Sequence, residues 1–169
     1  MCIKQVDVND LEKVAPLISK FRTELLSYKN IDSIEDIGSA KEEFRYYIDA
    51  EYPIFVFIID NNYVGYLVCR IESDVVWAES LYVSNEYRRQ GIATALYNAA
   101  EELAIKYGNE TLYNYVHPNN DRIIEFLAKR GYDVLNLIEV RKKRKDEVLS
   151  EKINIRNNTF NYWTDALLY

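Results

Sequence analysis

Residues 75–107 impose the strongest constraint on the fold. VVWAESLYV (75–83) is an apolar, β-branched and aromatic run of strand length. GIATALYNAAEELAIKYG (91–108) follows, with Ile92, Ala95, Leu96, Ala99 and Leu103 on one helical face and Gly108 suited to the C-terminal stop. TLYNYVH (111–117) reads as another strand. A strand, a helix and a strand in succession form a crossover unit, so 75–83 and 111–117 are expected to lie parallel.

The rest of the chain extends this pattern in both directions. CIKQVDV (2–8) alternates as a short strand, and Asn9 or Asp10 can cap a helix whose apolar face runs through Leu11, Val14, Ala15, Ile18, Phe21 and Leu25 to about Tyr28. A second amphipathic helix is expected over 40–50, burying Phe44, Tyr47 and Ile48. IFVFIID (54–60) and YVGYLVCRIE (63–72) flank the turn dipeptide Asn61-Asn62 and read as a hairpin. Asn119, Asn120 or Asp121 can cap a helix bearing Ile123, Ile124 and Leu127, closed by Gly131. DVLNLIEVR (133–141) reads as a strand, with KINIRNNTFNYW (152–163) as its antiparallel mate. The order β-α-α-β-β-β-α-β-α-β-β describes one α/β (α+β) domain over 1–169, a mixed sheet of about seven strands with helices on both faces.

Composition excludes some functions. A net charge of −6 argues against sequence-independent nucleic-acid binding, which favours basic chains. Cys2 and Cys69 are too few and too ill placed for a disulfide framework, and the N-terminus lacks a signal-peptide core. No apolar run approaches the ~18 residues of a membrane span. A cytoplasmic protein with no nucleic-acid or membrane partner is expected.

The loop before the 91–108 helix carries chemistry. A helix entry presents N–H groups without intrahelical partners at the positive end of the dipole, a setting that binds phosphate. Gly91 removes a side chain from that approach, Arg88 and Arg89 supply charge, and Ala93 is small where the next turn would crowd a ligand. The Walker loop fails for want of Lys-Ser/Thr after the glycine, and the dinucleotide fingerprint lacks two of its three glycines. The stretch ESLYVSNEYRRQGIATAL, with Arg88-Arg89-Gln90-Gly91-Ile92-Ala93 matching Arg/Gln-x-x-Gly-x-Gly/Ala, resembles the acetyl-CoA loop of the GCN5-related N-acetyltransferases. VHPNNDRIIEFLAKRGY resembles the same family's Asn-led helix that ends in Gly-aromatic. Together with the element order, the likeness covers about residues 2–140.

The resemblance implies roles. Residues 88–94 (Arg88, Arg89, Gln90, Gly91, Ile92, Ala93 and Thr94) would cradle the CoA pyrophosphate, and Leu81-Tyr82-Val83 would pair with the pantetheine arm as an added strand. A backbone N–H near Leu81 or Tyr82 would polarise the thioester carbonyl, and Asn120 would contact the cofactor arm. Glu79 would serve as general base, through a water, for an amine of pKa about 10.4. The family's usual tyrosine acid, seven residues after the asparagine, is Leu127 here, and Tyr115 either donates a proton or lines the pocket. The expected activity is transfer of acetyl from acetyl-CoA to a primary amine: a protein N-terminus, a lysine or a small amine. The alternative is a non-catalytic acyl-CoA sensor. A homodimer through the terminal strands is common in that family.

Other features have plainer readings. His117 has no second histidine to build a metal site with, and none is expected. RKKRK (141–145) reads as the exposed end of a hairpin, against an RNA-binding reading. Glu79 as an ion-paired strand residue, and Phe21, Leu25, Tyr28 and Phe44 as core or as pocket wall, stay open.

Overall fold

The computed structural model describes residues 1–28, 31–108, 110–145, 149 and 151–162. Among these residues the elements run β1 (Cys2–Gln5), α1 (Leu11–Ser27), α2 (Ile37–Asp49), β2 (Ile54–Ile59), β3 (Asn62–Glu72), β4 (Val75–Val83), α3 (Ile92–Lys106), β5 (Tyr113–Asn114), α4 (Asp121–Lys129), β6 (Glu151–Ile155) and β7 (Asn158–Tyr162), in the expected order as far as α4. They divide into two compact units, Met1–Ser27 with Asp32–Tyr115, and Tyr28–Ile31 with Val116–Tyr169.

The first unit is a five-stranded sheet in the order β1-β2-β3-β4-β5. The first four strands are antiparallel neighbours, and β5 joins β4 in parallel, as the crossover required. Even-numbered residues of β3 face α1 and α2: Tyr66 and Val68 share a buried cluster with Val14, Ile18, Phe44, Tyr47 and Tyr82. Odd-numbered residues face α3, since a Cβ built on Gly65 would lie 3.4 Å from Ile92. Helices therefore cover both faces. Asp7, not Asn9, opens the first helical turn, in a reciprocal cap with Asp10. Asp36 caps α2 three residues earlier than the apolar pattern suggests, and Ile48 is only half-buried.

The second unit departs from expectation. Residues 133–141 form no strand, and Val134, Leu135, Leu137, Ile138 and Val140 are exposed. The anticipated mate folds on itself instead: β6 pairs antiparallel with β7 across Arg156-Asn157, with Arg156 left-handed at φ 54°. The alternation is the same in either arrangement; the turn residues decide it, because a two-residue turn closes a local hairpin at the least entropic cost. Trp163 lies outside the described residues. β5 is also shorter than the 111–117 run, only Tyr113 and Asn114.

Candidate active site at the splayed edge of strand β4

β4 carries the candidate site because its two edges are treated differently. Against β3 it is paired from Val75 to Val83. Against β5 it is paired only at Trp77 and Ala78. From Glu79 to Val83 the second edge has no strand partner among the described residues. Ser84 N donates to Val64 O at 2.9 Å, which sets the ladder's phase. By the antiparallel alternation, Tyr82 and Ser80 point their backbone groups at β3, while Leu81 and Val83 point theirs at the open edge. This narrows the open choice between Leu81 and Tyr82. Tyr82's N–H is committed to β3 and its side chain to the core, so Leu81 is the residue with an available N–H.

A bulge places Glu79. Val68 pairs with Ser80 and Cys69 with Ala78, leaving Glu79 as the extra residue where β4 and β5 part. Its carboxylate accepts from Arg70 Nε at 2.9 Å, and Arg70 also pairs with Glu72. The ion-paired reading of Glu79 is thus present, and the bulge still keeps the side chain one-third exposed. Tyr115 stacks on Trp77 with centroids 4.6 Å apart and planes within 6°. It stands 65% exposed, so it is not core packing. Behind Ser80, Tyr47 hydrogen-bonds Glu43 and Glu43 grips Arg22 through Nε at 2.7 Å. Burial pushes the Tyr47 and Tyr66 hydroxyls upward, which makes both poor proton donors near neutral pH.

The two arginines of the loop differ. Arg88 Nε donates to Val83 O at 2.8 Å, its other end meets Glu24 at 2.5 Å, and its guanidinium lies 5.4 Å from the Tyr82 ring centroid. It buttresses the loop and occupies the open edge at Val83. Arg89 is exposed and left-handed, at φ 63°, and Gly91 is left-handed at φ 80°. A Cβ on Gly91 would touch nothing in the protein, so the glycine answers to its backbone angle. Gly91 is the N-cap of α3 without any side-chain cap, and no acidic residue stands in the first turn. The first bond inside α3 is Ala95 N to Gly91 O, which leaves the N–H groups of Ile92, Ala93 and Thr94 without an intrahelical partner. Ile92 is buried, and Gln90 donates to Glu86 O.

Gly65 is the residue that sequence reasoning missed. A Cβ there would come within 2.9 Å of Tyr82 O and 3.2 Å of Val83 Cγ2. Its absence lets α3 sit close over the end of β4. The signal was a lone glycine within a strand pattern, which marks close backbone approach. Phe44 is fully buried and Phe21 packs on Tyr66 and Tyr82, so both are core. Asn120, in the second unit, caps α4 by accepting from Ile123 N at 3.3 Å. His117 Nδ1 accepts from Asn119 N in the turn before α4.

The Acetyltransferase (GNAT) family matches residues 19–132. The chain belongs to this family. An N-alpha-acetyltransferase of Saccharolobus solfataricus is 30% identical, over 65% of this chain and 78% of that protein. The probable N-acetyltransferase san of Drosophila melanogaster is 31% identical over 48% of this chain and 47% of its own. The aminoglycoside N-acetyltransferase AAC(6')-Iy, solved in complex with CoA, shares the fold at a TM-score of 0.69 and 17% identity, covering 85% of this chain and 94% of its own. The GNAT chain described here contains no helix, among the described residues, long and apolar enough to cross a membrane.

Proposed function

We propose that the protein is an N-acetyltransferase that moves acetyl from acetyl-CoA to the α-amine of a peptide or protein. The observation that carries this reading is the unpaired edge of β4 running directly into the uncapped N-terminus of α3. The edge offers N–H and C=O groups to an amide-bearing chain, and the helix entry offers N–H groups and a positive dipole to phosphates. Those two features fit the two ends of acetyl-CoA. The name of one sequence relative, the N-alpha-acetyltransferase of Saccharolobus solfataricus, favours an α-amine over a lysine or a small amine.

Acetyl-CoA would supply an acetyl group activated as a thioester. The chain supplies position and proton traffic. The N–H groups of Ile92, Ala93 and Thr94, with exposed Arg89, hold diphosphate. Leu81 N–H, aimed at the open edge, polarises a carbonyl beside it. Glu79 takes the proton from the amine, directly or through one water. Arg70 keeps that carboxylate oriented. A thiol of pKa about 8.5 leaves without a strong acid, which suits a sequence with Leu127 seven residues after Asn120, where the family's tyrosine would be. No role in the transfer is given to Tyr115.

Thermal unfolding with and without acetyl-CoA tests the reading. At a hundred times the dissociation constant, binding stabilises the native state by about 2.7 kcal/mol. Gly91→Glu, which puts a carboxylate at the helix entry, is expected to abolish that gain. No shift in the wild type at millimolar acetyl-CoA would refute the proposal. Thiol release with a free-amine peptide separates an enzyme from a module that only senses cofactor.

A further inference from the structure

On the sheet face that carries α1 and α2, one row of side chains crosses the strands beside Glu79. Arg70 and Trp77 are direct partners between β3 and β4, and Trp77 and Tyr113 are partners between β4 and β5. Tyr52 stands two residues before Ile54, whose partner is Val68, so the same register brings it into line with Arg70. Burial pushes its hydroxyl upward, with Tyr46 and Glu79 adding to the rise and Arg70 opposing it. The rings of Trp77 and Tyr113 lie 5.1 Å apart, and the Arg70 guanidinium sits 5.0 Å from the Trp77 ring centroid. Exposed aromatics flank the row: Tyr46, 6.0 Å from Tyr52 and 58% exposed, and Tyr115, 65% exposed and stacked on Trp77.

The row's length and charge define what can lie on it. Strands are spaced by ~4.8 Å, so three spacings from Tyr52 to Tyr113 span about 14 Å, the length of roughly four extended residues. That exceeds a single amine and suits a peptide. Arg70 is the one cation of a trio whose other members, Glu72 and Glu79, are carboxylates, leaving one unit of negative charge. Glu72 is 61% exposed. A cation is drawn to that surplus and to the exposed rings of Tyr46 and Tyr115.

We propose that this row is the acceptor platform, taking the first three or four residues of a peptide in extended form, with a basic side chain among them and the α-amine delivered to Glu79. The proposal rests on the acetyltransferase reading for its chemistry, and its binding can be read separately.

The test uses the full chain, acetyl-CoA and three acceptors: a heptapeptide with lysine at position three, its glutamate counterpart, and the amide of the first residue alone. The lysine heptapeptide is expected to show a KM about tenfold below that of the glutamate peptide and of the one-residue amide. Tyr52→Ala and Trp77→Leu should raise its KM about tenfold while changing that of the amide less than about twofold. Tyr46→Ala, at an exposed position, should raise it in the same selective way. Equal effects on heptapeptide and amide, or none on either, would overturn the proposal. In a Trp163→Phe background Trp77 is the only tryptophan. Its emission should change on titration with the lysine heptapeptide, whether or not acetyl is transferred. A flat titration, with and without acetyl-CoA, overturns the platform; a missing acetyl-CoA shift in unfolding overturns the acetyltransferase reading instead.

Discussion

Arg88 and Arg89 are adjacent in sequence and differ in employment. Arg88 satisfies the Val83 carbonyl and pairs with Glu24, so Arg88→Ala orphans a backbone acceptor and a carboxylate. Urea unfolding of the unliganded variant should show a loss of about 1–3 kcal/mol. Arg89→Ala, at an exposed position, should stay within about 0.5 kcal/mol of wild type and instead weaken acetyl-CoA binding at low salt. Sequence could count two arginines before the glycine. It could not say which one would turn back onto the strand, because that depends on Glu24, 64 positions away. For Glu79, the Glu79→Gln variant should lower kcat by about 10²–10⁴-fold with acetyl-CoA binding intact. Cys69 makes a different prediction. Burial pushes its thiol up to about 12, from an ordinary value of 9.0. A thiol reagent at pH 8 should therefore count one reactive cysteine, exposed Cys2, in the native protein and two in denaturant. The sign for stability follows. The native state keeps the proton longer than the unfolded chain, so the contribution is complete below 9.0 and is lost as pH rises towards 12. Unfolding titrations across that window should show alkaline destabilisation that Cys69→Ala reduces.

At the scale of elements, the close seat of α3 on the β3–β4 pair sets the site. Gly65→Ala would force a Cβ against Tyr82 O, at 2.9 Å, and Val83. The neighbour it meets is backbone, which cannot rotate away. The variant should lose about 1–3 kcal/mol in urea and, because the end of β4 must shift, also bind acetyl-CoA more weakly. An unchanged affinity would show that the helix entry tolerates displacement. The β4–loop–α3 unit was legible because strand and helix periods change over at one glycine. The bulge at Glu79 was not legible, since an inserted residue leaves no mark in an apolar run. Nor was the fate of 133–141. An alternating segment specifies its two faces but not its partner, and Arg156-Asn157 closed the next hairpin locally.

Across the whole molecule, element order was read correctly from β1 to α4, because each strand and helix there carries its own period; beyond α4 the expected strand 133–141 is absent and the expected strand 152–163 is a hairpin. The division into a five-stranded sheet and a separate two-stranded one was not read, because pairing between distant strands is decided by packing that no local pattern encodes. The site behaves in the same way. The loop proposed to hold phosphate is a short contiguous string and was visible as such. The row proposed to take the acceptor gathers Tyr52, Arg70 and Trp77, with Glu79, from three separate stretches, and only the register of the sheet brings them together.

The parted edge of β4 has a consequence for the protein in the absence of its co-substrate. An edge with unpaired amides and carbonyls is a template for any extended chain, including a copy of itself. If acetyl-CoA occupies that edge, it also acts as a plug against self-association. Light scattering on gentle warming should then show unliganded protein clustering at a lower temperature than liganded protein, by more than the difference in their unfolding midpoints. Cofactor supply would thereby set how long the chain stays dispersed, in addition to how fast it turns over.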